Sequence, residues 1–89
     1  MPNGDIQPGT IGQLDAYGCS NGSFRLTLLA KQPGVVTIAL DGREIRRRSF
    51  PGPTEWDVTI PVTNGPRRCR LTVQGTGLVG TTQLEFDPG

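Results

Sequence analysis

The sequence predicts an all-β sandwich of about seven antiparallel strands. Short runs of alternating apolar and polar residues carry that prediction, together with the Gly, Pro and Asn turns between them. No stretch of useful length has helical spacing. Only 34% of the residues are apolar, a supply that suits two sheets each burying one face. At 89 residues the chain makes one domain with one core.

Residues 1–9 hold two prolines and two glycines and read as an extended arm before a domain at 10–89. Residues 10–17 form the first strand, with Ile11, Leu14 and Ala16 as its apolar members. Residues 19–22, Cys-Ser-Asn-Gly, read as a turn. The run 23–31 alternates most clearly. Phe24, Leu26, Leu28 and Ala30 point one way, Arg25, Thr27 and Lys31 the other, with Leu29 as the exception.

Pro33 and Gly34 break the chain, and Val36, Ile38 and Leu40 then share an inward face. Asp41-Gly42 joins this strand to 43–49 as a tight hairpin, since both residues tolerate positive φ. Prolines 51 and 53 make 50–54 a crossing loop. Trp56, Val58, Ile60 and Val62 alternate with Glu55, Asp57 and Thr59, so Trp56 belongs to the core. Asn64-Gly65-Pro66 turns the chain again. Cys69, Leu71 and Val73 then face inward, with Arg68, Arg70 and Thr72 outward. A glycine-rich connection over 75–80 leads to a last strand, 81–86, that buries Leu84 and Phe86.

The stretch from Val36 through Ile45 and on through Trp56, Cys69 and Phe86 resembles the bacterial immunoglobulin-like domains. The shared pattern is a strand ending in Asp-Gly, a later Trp strand, an Asn-Gly turn, a glycine corner and a final strand. The resemblance covers about residues 35–86 and implies an immunoglobulin-like β-sandwich. One departure is that the only tryptophan, Trp56, does not lie a dozen residues beyond the first cysteine.

Cys19 and Cys69 are the only cysteines. As a disulfide they would close a long loop, worth about 3–4 kcal/mol of chain entropy. The alternative is two free thiols. Zinc is excluded as a four-ligand site, since no histidine is present. The lack of histidine also leaves a nucleophile without its usual base, and the single lysine, Lys31, sits at a strand end. Glu55 with Asp57, or Asp41 with Glu44, are carboxylate pairs that read as solvated surface. Asp5, Asp15, Asp41, Asp57 and Asp87 form no calcium-loop motif. The expectation is a chain without catalytic residue, metal or cofactor.

The arginines are unevenly spread. They cluster at Arg43, Arg46, Arg47 and Arg48, and at Arg67, Arg68 and Arg70. Arg46 and Arg48 share one face of their strand, while Arg47 and Ile45 share the other. If the two strands lie in one sheet, Arg46, Arg48, Arg68 and Arg70 form a basic face for a protein partner, with Phe50 as a contact anchor. The competing role is protection of sheet edges by charge. Nucleic acid is disfavoured, because no aromatic interleaves the arginines and the net charge is only +1. Carbohydrate is disfavoured too, since only Tyr17 and Phe50 remain as aromatics outside the core. No apolar run is long enough for a membrane helix.

The sequence thus points to a non-catalytic structural or binding module. The leading expectation is an accessory protein docked on a larger assembly, with self-association as a variant. A decoration or stabilising protein of a bacteriophage capsid is the example, in the virion and made in the host cytoplasm. It rests on the Met start without a secretory signal and on the Pro/Gly-rich arm. The alternative is a spacer or adhesin module of a secreted or cell-surface bacterial protein, which a disulfide would favour.

Overall fold

The computed structural model describes residues 4–19, 21–63 and 67–88. Eight strands form in chain order: β1 (Gly4–Ile6), β2 (Ile11–Tyr17), β3 (Asn21–Ala30), β4 (Gly34–Leu40), β5 (Arg43–Phe50), β6 (Thr54–Thr63), β7 (Arg68–Gly75) and β8 (Val79–Pro88). They build two four-stranded antiparallel sheets, ordered β1-β8-β3-β6 and β2-β7-β4-β5. The expected β-sandwich is present.

Its strand order is not that of an immunoglobulin domain, where the first, second, fifth and fourth strands share a sheet. Here β1 pairs with β8, β2 with β7, β3 with β6 and β4 with β5. The chain is a long ribbon folded back on itself and rolled, the pattern of a jelly roll. Only β4 and β5 are neighbours in sequence among the paired strands.

The ribbon's tip is the two-residue turn Asp41-Gly42, with φ of 51° and 84°. Both values match the mirror-image turn whose twist suits a hairpin. The Asp41 carboxylate also accepts the Arg70 backbone N–H at 2.8 Å, which fastens the tip to β7.

Alternation supplies the core. Phe24, Leu26, Leu28, Ile38, Leu71, Val73 and Val79 are almost fully buried between the sheets. Each such side chain contributes about 1.5–3 kcal/mol by leaving water. Phe24 meets Phe86 at 4.8 Å between ring centroids, closing one flank of the core. Trp56 and Phe86, expected inside, are half-buried. The cysteines are bonded to each other and buried, so the disulfide alternative holds. The bond ties the segment after β2 to β7 and encloses β3 through β6.

Three local expectations need correction. Part of the stretch read as an extended arm before the domain is strand β1, which pairs with β8 and buries Ile6 to 5% exposure. Asn21 and Gly22 are not turn residues, since they open β3 opposite Thr63 and Val62. The second Asn-Gly turn, at 64–66, lies outside the described residues. The glycine-rich connection ends earlier than expected, because β8 starts at Val79. In that connection a Cβ on Gly77 would stand 2.9 Å from the Pro33 carbonyl oxygen, so glycine alone fits the close crossing.

Two outcomes follow from this topology. The Cys19→Ala/Cys69→Ala double variant should lose about 3–4 kcal/mol in denaturant unfolding, because a 50-residue link is removed from the unfolded chain. Gly42→Ala should cost about 1–2 kcal/mol, since an L side chain at that φ is strained. Stopped-flow refolding should show that loss mainly as slower folding, because the hairpin is the only pairing that forms without a long loop closure.

Candidate binding face

The outward side of the β2–β7 pair carries the densest arrangement of exposed functional side chains. In a strand, alternate residues share a face. Ile11, Gln13, Asp15 and Tyr17 therefore line up on β2, opposite Gln74, Thr72, Arg70 and Arg68 on β7. Tyr17 is 68% exposed and Ile11 59%, the only large exposed apolar side chains among the described residues.

Asp15 organises the charges between them. Its carboxylate accepts a hydrogen bond from Arg70 Nε at 2.8 Å and lies 3.7 Å from an Arg68 terminal nitrogen. Arg68 in turn places its guanidinium 5.9 Å from the Tyr17 ring centroid. The hydrogen bond from Arg70, with lesser help from Arg68, lowers the Asp15 pKa below its ordinary 3.8. The same bond raises that of Arg70. Ring, two guanidinium forks and carboxylate are thus held as one unit across two strands. Beside it lies an open concavity of about 580 Å³, lined by Ile11, Gln13, Arg68, Arg70, Thr72 and the Asp41-Gly42 turn. Such a face can stack a flat or apolar ring on Tyr17 and exchange directed hydrogen bonds with hydroxyls from its fixed donors and acceptor.

Arg68 and Arg70 stand on the outer face as expected. Arg46 and Arg48 do not join them. They pair with Ile38 and Val36, whose side chains enter the core, so they have the inward parity at the edge strand β5. The expected single basic face does not form. A bulge at Ile45 is the cause, shifting the register between Ile38 and Ala39. Phe50 is no exposed anchor either. It is 4% exposed, packs on Trp56 at 5.6 Å and lies under the Arg48 guanidinium at 5.0 Å.

The sequence reading did not bring these residues together: Tyr17 was named only as one of two aromatics outside the core, Asp15 only among the aspartates weighed for calcium, Ile11 only as an apolar strand residue, and Gln13 not at all. Strand parity held the signal: Leu14 and Ala16 face inward, so the odd-numbered residues of the same strand must face out, Ile11 included. Among the described residues, no group of three or more Asp, Glu, Cys or His lies close enough to hold a metal ion.

The opposite sheet shows a different surface. Thr27 donates to Asp57 at 2.9 Å, Gln83 donates to Glu85 at 2.9 Å, and Arg25 approaches Glu85 at 3.9 Å. With Glu55 and Asp87 also exposed, this face is rich in acid.

No protein-family model matches the chain, and no curated protein is similar to it. The fold itself has solved counterparts. A family two carbohydrate esterase from Clostridium thermocellum in complex with cellohexaose superposes with a TM-score of 0.66 at 16% identity. That match covers 93% of this chain and 26% of the esterase chain, so the present chain spans about a quarter of that enzyme. The carbohydrate-binding module CBM36 in complex with calcium and xylotriose superposes with a TM-score of 0.63 at 13% identity, covering 93% of this chain and 78% of that one. At such identities the likeness shows a shared β-sandwich fold.

The Asp15 carboxylate sets a pH dependence with a definite sign. Its pKa is lower in the folded chain than unfolded, so its contribution is present above about 3.8 and lost as pH falls through the lower folded value. In acid unfolding, wild type should therefore lose more stability over that window than Asp15→Asn.

Proposed function

We propose that the protein is a non-catalytic binding module that takes a neutral carbohydrate chain on its β2–β7 face. The single observation that carries this reading is the exposed Tyr17 ring fixed beside the Asp15–Arg68–Arg70 cluster. An aromatic face offers an apolar platform for the C–H side of a sugar ring, and fixed charged groups direct hydrogen bonds to its hydroxyls. The Arg68 and Arg70 charges are offset by the Asp15 carboxylate they share and by the Asp41 charge acting on Arg70, which suits an uncharged ligand. That the solved neighbours are complexes with cellohexaose and with xylotriose supports the choice of ligand class. This reading departs from the sequence expectation, which discounted carbohydrate for want of several aromatic platforms.

The Cys19–Cys69 disulfide supports use in an oxidising compartment, and hence the exported alternative over a virion protein made in a reducing cytoplasm. Docking on a larger assembly is a second reading. It draws on Ile11 and Tyr17, two large apolar side chains exposed on one edge strand. The arm that first motivated docking gives it less support, because Ile6 is buried in its own core.

Calorimetric titration with xylo- and cello-oligosaccharides tests the proposal. Wild type should bind, and Tyr17→Ala should weaken binding by about tenfold with the fold intact. No binding to any neutral glycan, or an unaffected Tyr17→Ala, overturns it. A stable oligomer in light scattering that Tyr17→Ala dissolves would assign the face to protein contact instead.

A further inference from the structure

We propose that β5 carries a second, separate binding strip that recognises carboxylate groups on an acidic polysaccharide. Elsewhere, arginine and lysine are largely matched to acids: Arg25 with Glu85, Lys31 with Asp5, and Arg68 and Arg70 with Asp15. On β5 the balance differs. Only Arg47 has an ion pair, with Glu44 at 2.7 Å. Among the described residues, no carboxylate pairs with Arg43, Arg46 or Arg48, and all three are exposed.

Unmatched like charges on one strand repel one another, and an anion laid along the strand relieves that repulsion. The strip follows a free sheet edge, with Arg46 and Arg48 on one side of the strand and Arg47 on the other. At about 3.3 Å per residue, the guanidinium groups from Arg43 to Arg48 are distributed along roughly 17 Å of edge. Arg48 is the fixed point of the row. Its guanidinium lies over the Phe50 ring at 5.0 Å and the Trp56 ring at 5.8 Å, which orients its planar fork. A guanidinium fork held in this way is suited to bidentate contact with a carboxylate.

The surroundings select among polyanions. A nucleic acid would need rings on which bases stack, but Phe50 is buried and Arg48 caps Trp56. The acid-rich face that begins at Glu55 and Asp57 on β6 also stands against a wide, highly charged duplex. An acidic protein surface would want an exposed aromatic or aliphatic centre, and β5 exposes none. A narrow, hydrated chain with spaced carboxylates fits what remains. Its assignment as a glycan rests on the proposed carbohydrate function; the anion strip itself does not.

Pectin provides the test, because fully methyl-esterified and de-esterified polygalacturonate share one backbone and differ in charge. Affinity electrophoresis at low salt should show the de-esterified polymer bound at least about tenfold more tightly, with the preference falling as salt rises. Arg43→Ser/Arg46→Ser and the charge reversal Arg46→Glu should each reduce that preference severalfold, with unchanged unfolding curves. Tyr17→Ala should leave it in place, so failure of the neutral-sugar reading and failure of the strip are told apart. Equal binding of the two pectins, binding of neither, or a preference that survives Arg43→Ser/Arg46→Ser overturns the proposal. Equal or tighter capture of polyglutamate or single-stranded DNA, lost in the same variant, overturns the glycan assignment.

Discussion

One constraint governs the molecule: every strand pairing except β4 with β5 joins segments far apart in sequence. The Asp41-Gly42 turn makes that one local pairing, and the rest of the rolled ribbon is built from distant segments. Each further pair, β3 with β6, β2 with β7 and β1 with β8, closes a larger loop of chain. The Cys19–Cys69 bond spans the interior of this nested arrangement and restricts the unfolded chain where loop closure is demanding. Turn and disulfide therefore act on the same problem from opposite ends, one by local geometry and the other by a covalent limit on entropy.

That constraint explains what was legible in the sequence. Alternation is local, so the inward sets of β3, β6 and β7 could be read directly, as could the positive φ at Asp41 and Gly42. Strand order is not local, and an immunoglobulin sandwich and a jelly roll can carry the same alternating runs. The order became visible only through the pairing of each strand with its mirror in the ribbon. β1 escaped notice for a related reason: three residues between prolines carry little periodicity, and Ile6 has meaning only once β8 lies beside it.

The site residues show the finer limit. Parity says which residues share a face but leaves open which face is inward. On β2, Leu14 and Ala16 resolve this and leave Tyr17, Asp15 and Ile11 outside. On β5, Ile45 appeared to place its own side inward and so turn Arg46 and Arg48 out. The bulge at Ile45 reverses that inference: the two arginines follow Phe50 in parity, and the expected basic face divides. A single extra residue thus moved a predicted partner surface from a sheet face to a sheet edge.

The division gives the two surfaces different chemistry. Around Asp15, the Arg68 and Arg70 guanidinium groups share one carboxylate with Asp41 acting on Arg70 as well, so the cluster offers directed hydrogen bonds with much of its field offset. Ligand discrimination there must come from shape and from contact with Tyr17, and should vary little with salt. Along β5, Arg43, Arg46 and Arg48 have no carboxylate partner among the described residues and the field is the main source of attraction, so binding there must be salt-sensitive and less dependent on shape. Arg48 links this edge to the core, because the rings that orient it also seal the gap between β5 and β6. Removing its charge therefore disturbs packing as well as recognition. Arg43 and Arg46, which touch neither ring, are the positions where the two effects separate.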